Sequence, residues 1–329
     1  MLPQKSCPSI PFDPNSMKSV LETPVILETP TQQRSRVSPA EVREWLLFAA
    51  IVAPNLLLFI AFAYWPLIYN GYLSFVRWDM ISPVKTWVGF DNYIKLFQDK
   101  TFGLVLWNSL YFTGVTVILT NVLGLAGALL LNQKLRGRNF VRTVMFAPTV
   151  LSGAALGIVW SYIFDPRFGL IEYFLDPLGI PSPNWLLDPD WAMPAVIIVY
   201  TWKNLGYAVV IFLAGFQAIP KELYEAATVD GADAHARFWH VSLPGLSPIM
   251  FFLALTTTLA SFQAFDMIKT MTNGGPVDAT NTLIYYLYEQ GFINFNAGNA
   301  GVAAVVLFGA MLAFTLVQMR YTENQVTYN

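Results

Sequence analysis

The 329-residue sequence has one cysteine, Cys7, and two histidines, His235 and His240. A lone thiol forms no internal disulfide, and so few soft ligands leave no multi-cysteine metal site and little for zinc. Charge is also scarce. Asp, Glu, Lys and Arg make up 12% of the chain, against roughly 25% in soluble domains. A soluble body of this size cannot cover its surface with so few ions. The net charge of -2 offers no basic field to nucleic acid. The dipeptide Gly-Lys is absent, and with it the loop G-x-x-x-x-G-K-S/T whose amides, lysine and hydroxyl cradle nucleotide phosphates. What is plentiful is apolar bulk: 55% of residues are hydrophobic and 15% aromatic. These proportions describe an integral membrane protein.

A membrane-crossing helix needs about 20 apolar residues. Six stretches reach that length: 45–69, 104–131, 143–164, 191–216, 246–265 and 298–319. Of these only 191–216 holds a charge, Lys203. The expected fold is therefore an all-α integral membrane protein with six transmembrane helices. With the N-terminus inside, the inner segments carry Lys5, Lys18, Arg34, Arg36, Arg43, Lys134, Arg136, Arg138, Arg142, Lys221, Arg237 and Arg320. The outer ones carry half as many: Arg77, Lys85, Lys95, Lys100, Arg167 and Lys269. An excess of Lys and Arg marks the cytoplasmic side, so both termini are expected inside. Residues 1–40 hold seven prolines and the duplication Leu-Glu-Thr-Pro at 21–24 and 27–30. That density forbids a long helix and leaves no apolar bulk for a core. A disordered cytoplasmic tail over 1–40 is expected, without a cleavable signal, followed by a transmembrane domain over 41–329.

The inner loop between the fourth and fifth spans, 219–244, is unusually structured. Pro220 suits the opening of a helix, and 221–229 holds good helix formers. Asp230-Gly231 is a stop and turn signal. A second helix is expected over 232–241, ended before Leu243-Pro244. Small Ala226, Ala227 and Ala232 lie near the bend, and Leu223, Phe238, Trp239 and Leu243 supply an apolar anchor. Such a hairpin is either a docking surface or a segment lying on lipid headgroups.

The pattern Glu225-Ala226-Ala227, Gly231, then Leu243-Pro244, flanked by Ile219-Pro220, Asp230, Ala232 and Phe238, resembles the signature of permease subunits of binding-protein-dependent ABC importers. Thr272-Asn273-Gly274-Gly275-Pro276, followed by Thr280, Thr282-Leu283, Tyr286, Tyr288 and Phe292, is similar to an outer loop of the carbohydrate-type permeases. So is Ser74-Phe75, Trp78-Asp79 and Trp87-Val88-Gly89-Phe90-Asp91-Asn92-Tyr93. The resemblance covers roughly 45–320 and departs at Val241, where isoleucine is more usual. It implies a multi-pass protein of a bacterial-type cytoplasmic (inner) membrane, and a coupling hairpin seated in a groove of a cytoplasmic ATPase. Glu225, Ala226, Ala227, Asp230, Gly231, Ala232, Phe238, Leu243 and Pro244 would make that coupling, with Glu225 either touching the ATPase or bonding within the hairpin. The implied partners are a second permease subunit in a heterodimer, two copies of the ATPase, and an extracytoplasmic solute-binding protein. ATP and Mg belong to the ATPase; this chain is expected to bind no cofactor and to be no enzyme.

Polar groups inside a bilayer are expensive and so are functional candidates. Tyr200, Lys203, Asn204 and Tyr207 share one helical face at i, i+3, i+4 and i+7. Thr256, Gln263 and Asp266 form a looser stripe in the fifth span. Sugars are held by planar polar groups and aromatic faces in a mostly apolar cavity, so Tyr200, Lys203, Asn204, Tyr207, Gln263 and Asp266 are the candidate substrate contacts. An ion pair, carbonyl or subunit contact is the alternative for Lys203, and the outer end of a span for Asp266. Ser109, Thr113, Thr116 and Thr120, with Gly114, Gly124 and Gly127, are expected to pack helices. The cargo expected is a disaccharide, oligosaccharide or polyol. A glycerol phosphate is the alternative within the family, though no arginine cluster lies within the spans. A secondary sugar carrier is the alternative outside it; such carriers show inverted repeats, and no matching halves occur here.

Overall fold

The computed structural model describes residues 39–133 and 136–323. The tail expected over 1–40 lies outside them, save for Pro39 and Ala40, which open the first helix. The chain divides into two units, up to Ile60 and from Ala61 onward. The first contains α1 (Pro39–Phe59), with proline at its opening position, where a missing N–H costs nothing.

The second unit begins with α2 (Trp65–Leu73) and a two-stranded antiparallel ribbon, β1 (Val76–Arg77) and β2 (Thr86–Trp87), in which Val76 faces Trp87 and Arg77 faces Thr86. Then follow α3 (Asp91–Gln98), α4 (Lys100–Leu131), α5 (Arg138–Val150), α6 (Gly153–Ile163), α7 (Leu170–Leu175) and α8 (Pro189–Ala218). The remainder is α9 (Lys221–Val229), α10 (Ala234–Arg237), α11 (Leu243–Gly245), α12 (Ser247–Phe262), α13 (Asp266–Met271), α14 (Leu283–Tyr288) and α15 (Ala297–Glu323). The ribbon is a small departure from an all-α chain. Asn92 explains why it forms: its amide donates to the carbonyls of Ser74 and Val76 at 2.9 and 3.0 Å. The outer-loop motif thus serves to fold the loop. Beside it Asp91 accepts from Lys95 at 2.7 Å and Arg77 at 2.8 Å, and the Lys95 hydrogen bond holds its carboxyl below the usual carboxylate range.

Among the described residues four helical stretches are long and apolar enough to cross a membrane: Arg43–Leu73, Lys100–Leu131, Pro189–Ala218 and Ala297–Arg320. Two more qualify only as bent pairs, Arg138–Val150 with Gly153–Ile163 at 103° and Ala234–Gly245 with Ser247–Phe262 at 61°. The count is thus four to six, and two of the six expected spans are broken. The stretch 143–164 breaks because Leu151 and Ser152 are extended, with ψ of 148° and 132°. Beyond that break α6 packs on α13 through Gly153, where a Cβ would strike the Asp266 carboxylate, and Gly157, where it would strike the Thr270 hydroxyl. The stretch 246–265 ends as a helix at Phe262, with Gln263 as its C-cap.

α8 lies at the centre of this unit. Small residues admit its neighbours: Gly124 and Gly127 of α4 abut Ala208 and Val209, Gly206 abuts the backbone of α5 at Met145, and Gly215 abuts Leu246 and Ile249. Gly124 and Gly127 therefore pack helices as expected, whereas Gly114 has open space around it. Phe112, Val196, Val199 and Met267 form one buried cluster, and Phe212, Leu246 and Leu253 a second. Phe102, Tyr286 and Val302 tie α15 to α4 and α14 in a third.

Candidate functional site

Three helices, α4, α8 and α12, line a partly open cavity of about 240 Å3 bordered by Thr116, Thr120, Tyr200, Asn204, Tyr207, Thr256, Thr257 and Ala260. It brings together three of the six expected contacts, Tyr200, Asn204 and Tyr207. The ring of Tyr200 is braced edge-on by Phe112 at 5.1 Å. The Asn204 amide donates to the Tyr200 carbonyl at 2.8 Å, leaving its oxygen and one N–H for the cavity. Thr256, from the looser stripe, also lines it.

Lys203 does not line the cavity. At about 100° per residue it stands about 60° from Tyr200 and about 100° from Asn204 around the helix. Its backbone carbonyl accepts from the Thr149 hydroxyl of α5 at 2.9 Å. Gln263 and Asp266 also lie off the cavity, past the end of α12. Gln263 reaches the Met311 sulfur at 3.9 Å, and Asp266 opens α13 with its carboxylate accepting from the Met267 amide at 2.9 Å.

Thr116, Thr120, Thr257 and Ala260 are the lining residues that sequence reasoning did not single out as contacts. The stripe of α4 divides in use. Ser109 accepts from the Leu283 amide at 2.8 Å and serves packing, while Thr116 and Thr120, about two and three turns on, border the cavity although only 1% and 2% exposed. The recurrence of hydroxyls opposite the Tyr200–Asn204–Tyr207 face was the available signal.

The second feature is the hairpin. α9 ends in a left-handed glycine: Gly231 has φ of +79°. Its amide donates to Thr228 at 3.1 Å and that of Ala232 to Ala227 at 2.9 Å, the paired bonds of a Schellman motif. Asp233 caps the return helix by accepting from the Ala236 amide at 2.7 Å. The arms are joined where Arg237 donates to Thr228 at 3.1 Å and where the hydroxyls of Tyr224 and Ser242 meet at 3.0 Å. Two expectations change. The return helix is not ended before Leu243-Pro244 but runs to Gly245 through a π turn, Phe238–Ser242. That wider turn accommodates a proline whose missing N–H frees a carbonyl. The anchor also differs. Leu223 and Trp239 are each 51% exposed, while Tyr224 and Val241 pack on the Phe212–Leu246 cluster. Phe238 and Leu243 are half-buried, and Glu225 is exposed with no bond among the described residues. Asp233→Ala removes the cap and is expected to destabilise the return helix by about 1 kcal/mol, read as faster hydrogen exchange at the Ala236 amide.

The outer-loop motif is equally determinate. The Thr272 and Thr280 hydroxyls meet at 2.7 Å, Thr280 donates to the Gly275 carbonyl at 2.8 Å, and Asn108 of α4 donates to the carbonyls of Asp278 and Asn281 at 2.8 and 3.1 Å.

Residues 120–327 match the model of the family described as binding-protein-dependent transport system inner membrane component. The chain is 36% identical over 302 residues to the sn-glycerol-3-phosphate transport system permease protein UgpA of Agrobacterium fabrum, covering 90% of this chain and 99% of that protein. It is 33% identical over 285 residues to the protein of the same name from Escherichia coli (strain UTI89 / UPEC), covering 86% and 96%. In fold it is similar to a chain of a bacterial ABC transporter involved in the import of the acidic polysaccharide alginate, with a TM-score of 0.77 at 24% identity over 87% of this chain and 98% of that one.

Proposed function

Because the chain belongs to the inner membrane components of binding-protein-dependent transport systems, as a multi-pass, carbohydrate-type permease of an ABC importer, we propose that it passes a sugar or polyol through the cavity between α4, α8 and α12 and is driven through its hairpin by ATPase subunits. The observation that carries this reading is continuity. α9 follows α8 after Ile219 and Pro220, and α10 and α11 run into α12 at Leu246. The two ends of one hairpin thus lead into two of the three helices that line the cavity.

Coupled movement needs a contact with discrete arrangements and a body that moves as a unit. Internal hydrogen bonds give the hairpin rigidity, and Tyr224 and Val241 fasten it to the helices. Leu223 and Val229, the latter 88% exposed, offer apolar surface to a protein groove, with Glu225 one turn before Val229 on the same face. We count the bent pair 138–163 as one crossing and α12 as another, which with the four long stretches gives six with both termini inside and agrees with the excess of basic residues in the inner segments. The hairpin then sits in a groove of an ATPase subunit in the cytoplasm, one of two copies, and ATP and Mg are held by those subunits. A solute-binding protein delivers cargo on the other side, and a second permease subunit completes the pathway. No step requires this chain to bind nucleotide.

The test is deletion of 225–227 in the assembled importer. Uptake is expected to fall to background, and ATP hydrolysis to stop responding to loaded binding protein, with the complex still inserted. Undiminished uptake would sink the coupling role. The relatives named for sn-glycerol-3-phosphate make that anion the competing cargo.

A further inference from the structure

The cavity wall carries information about what passes it. Thr116 Oγ1 donates to the Phe112 carbonyl at 2.7 Å, Thr256 Oγ1 to that of Phe252 at 2.8 Å, and Thr257 Oγ1 to that of Leu253. Each hydroxyl proton is thereby spent on its own helix, and what remains toward the cavity is acceptor capacity. Thr257 gives part of this to the Asn121 amide at 3.3 Å. Tyr200, Tyr207, Thr120 and Asn204 are the lining residues that keep a proton not taken up by another group among the described residues. No basic side chain is among the lining residues.

We propose that this cavity selects an uncharged, hydroxyl-rich cargo and discriminates against phosphate monoesters. The proposal rests on the reading that the cavity lies on the translocation path. A sugar or polyol hydroxyl both donates and accepts, so it answers threonine lone pairs and phenol or amide donors together. Two tyrosine rings add apolar faces for its C–H surface. A phosphate monoester carries about -1.5 to -2 charge near neutral pH and is almost wholly an acceptor. Against this wall it would set oxygens against threonine oxygens, in an apolar surrounding without a cation. An unpaired buried charge is the costliest group to desolvate. Lys203 is not among the lining residues and so does not supply the counter-charge.

Equilibrium binding to the detergent-solubilised permease–ATPase complex, without binding protein, examines the wall alone. The probes are radiolabelled sorbitol, maltose and sn-glycerol-3-phosphate. At least one neutral probe is expected to bind and the phosphate ester is not. Replacing two acceptors isosterically, in Thr116→Val with Thr256→Val, should weaken the neutral probe about tenfold. Binding of the phosphate ester as tightly as the neutral probes overturns the proposal. So does an unchanged affinity in the double variant, or failure of all three probes to bind. Deletion of 225–227 separates the two ideas. Uptake that ignores the hairpin sinks the coupling reading and leaves cargo preference to the binding result, whereas phosphate binding with hairpin-dependent uptake sinks the selectivity alone.

Discussion

Gly231→Val is expected to lower uptake by the assembled importer more than about tenfold while leaving the amount of complex in the membrane unchanged. The reason lies in what surrounds this glycine. Among the described residues nothing stands within 4 Å of the position its Cβ would take, so a Cβ there meets no clash. The backbone penalty is local: φ of +79° is costly for any residue with a Cβ, by about 1–2 kcal/mol, and most for a β-branched one. That strain loosens the Schellman turn and re-aims α9 against α10 without touching the core. The side chain would also project outward, where the ATPase is proposed to sit. A Gly231→Ala variant separates the two effects, since it keeps the strain and adds only a methyl. Uptake and pull-down of the ATPase subunit, measured on both variants, check the result. Full uptake by Gly231→Val would remove the turn from the coupling surface.

Gly206→Val is expected to fail differently, by loss of folded protein. A Cβ at 206 would overlap the Met145 carbonyl of α5, and backbone cannot swing aside as a side-chain end can. Overpacking of this kind costs about 1–3 kcal/mol and more where neither helix can shift. α5 is also pinned to α8 by the Thr149–Lys203 hydrogen bond, so separation there opens the helix pair. Thermal unfolding of the purified chain in detergent should show a lower midpoint, and Gly206→Ala should fall between the variant and the native protein. A native midpoint for Gly206→Val would mean that α5 is free to move away.

The apolar runs were legible because lipid leaves a strong, continuous mark on sequence, and the Gly231 turn because only a few residue types make it. The shared placement of Tyr200, Asn204 and Tyr207 along one cavity was legible too, since it follows from helix arithmetic. Lys203 was misplaced because i+3 and i+4 depart from a face in opposite directions, and only packing reveals which side is used. Thr116 and Thr257 were hidden for another reason. A threonine bonded to its own helix looks the same whether it meets a neighbour or a cavity. The break at Leu151 and Ser152 was masked because hydrophobicity runs through it unchanged. The anchor was misjudged because Leu223 and Tyr224 differ in direction rather than in kind.

That break has a consequence for the life of the protein before assembly. Counted as one crossing, 138–163 is interrupted near its middle; α6, with 11 residues, rises about 16 Å, half of a hydrocarbon layer of about 30 Å. The helical hydrogen-bond ladder is open there, and Val150 and Leu151 face outward, 74% and 53% exposed. Hydrocarbon offers such backbone no donors or acceptors, so irregular chain at that depth persists only against protein or water. A copy alone in the bilayer is an unfinished solute. Another protein surface over this kink would supply the partners that hydrocarbon cannot.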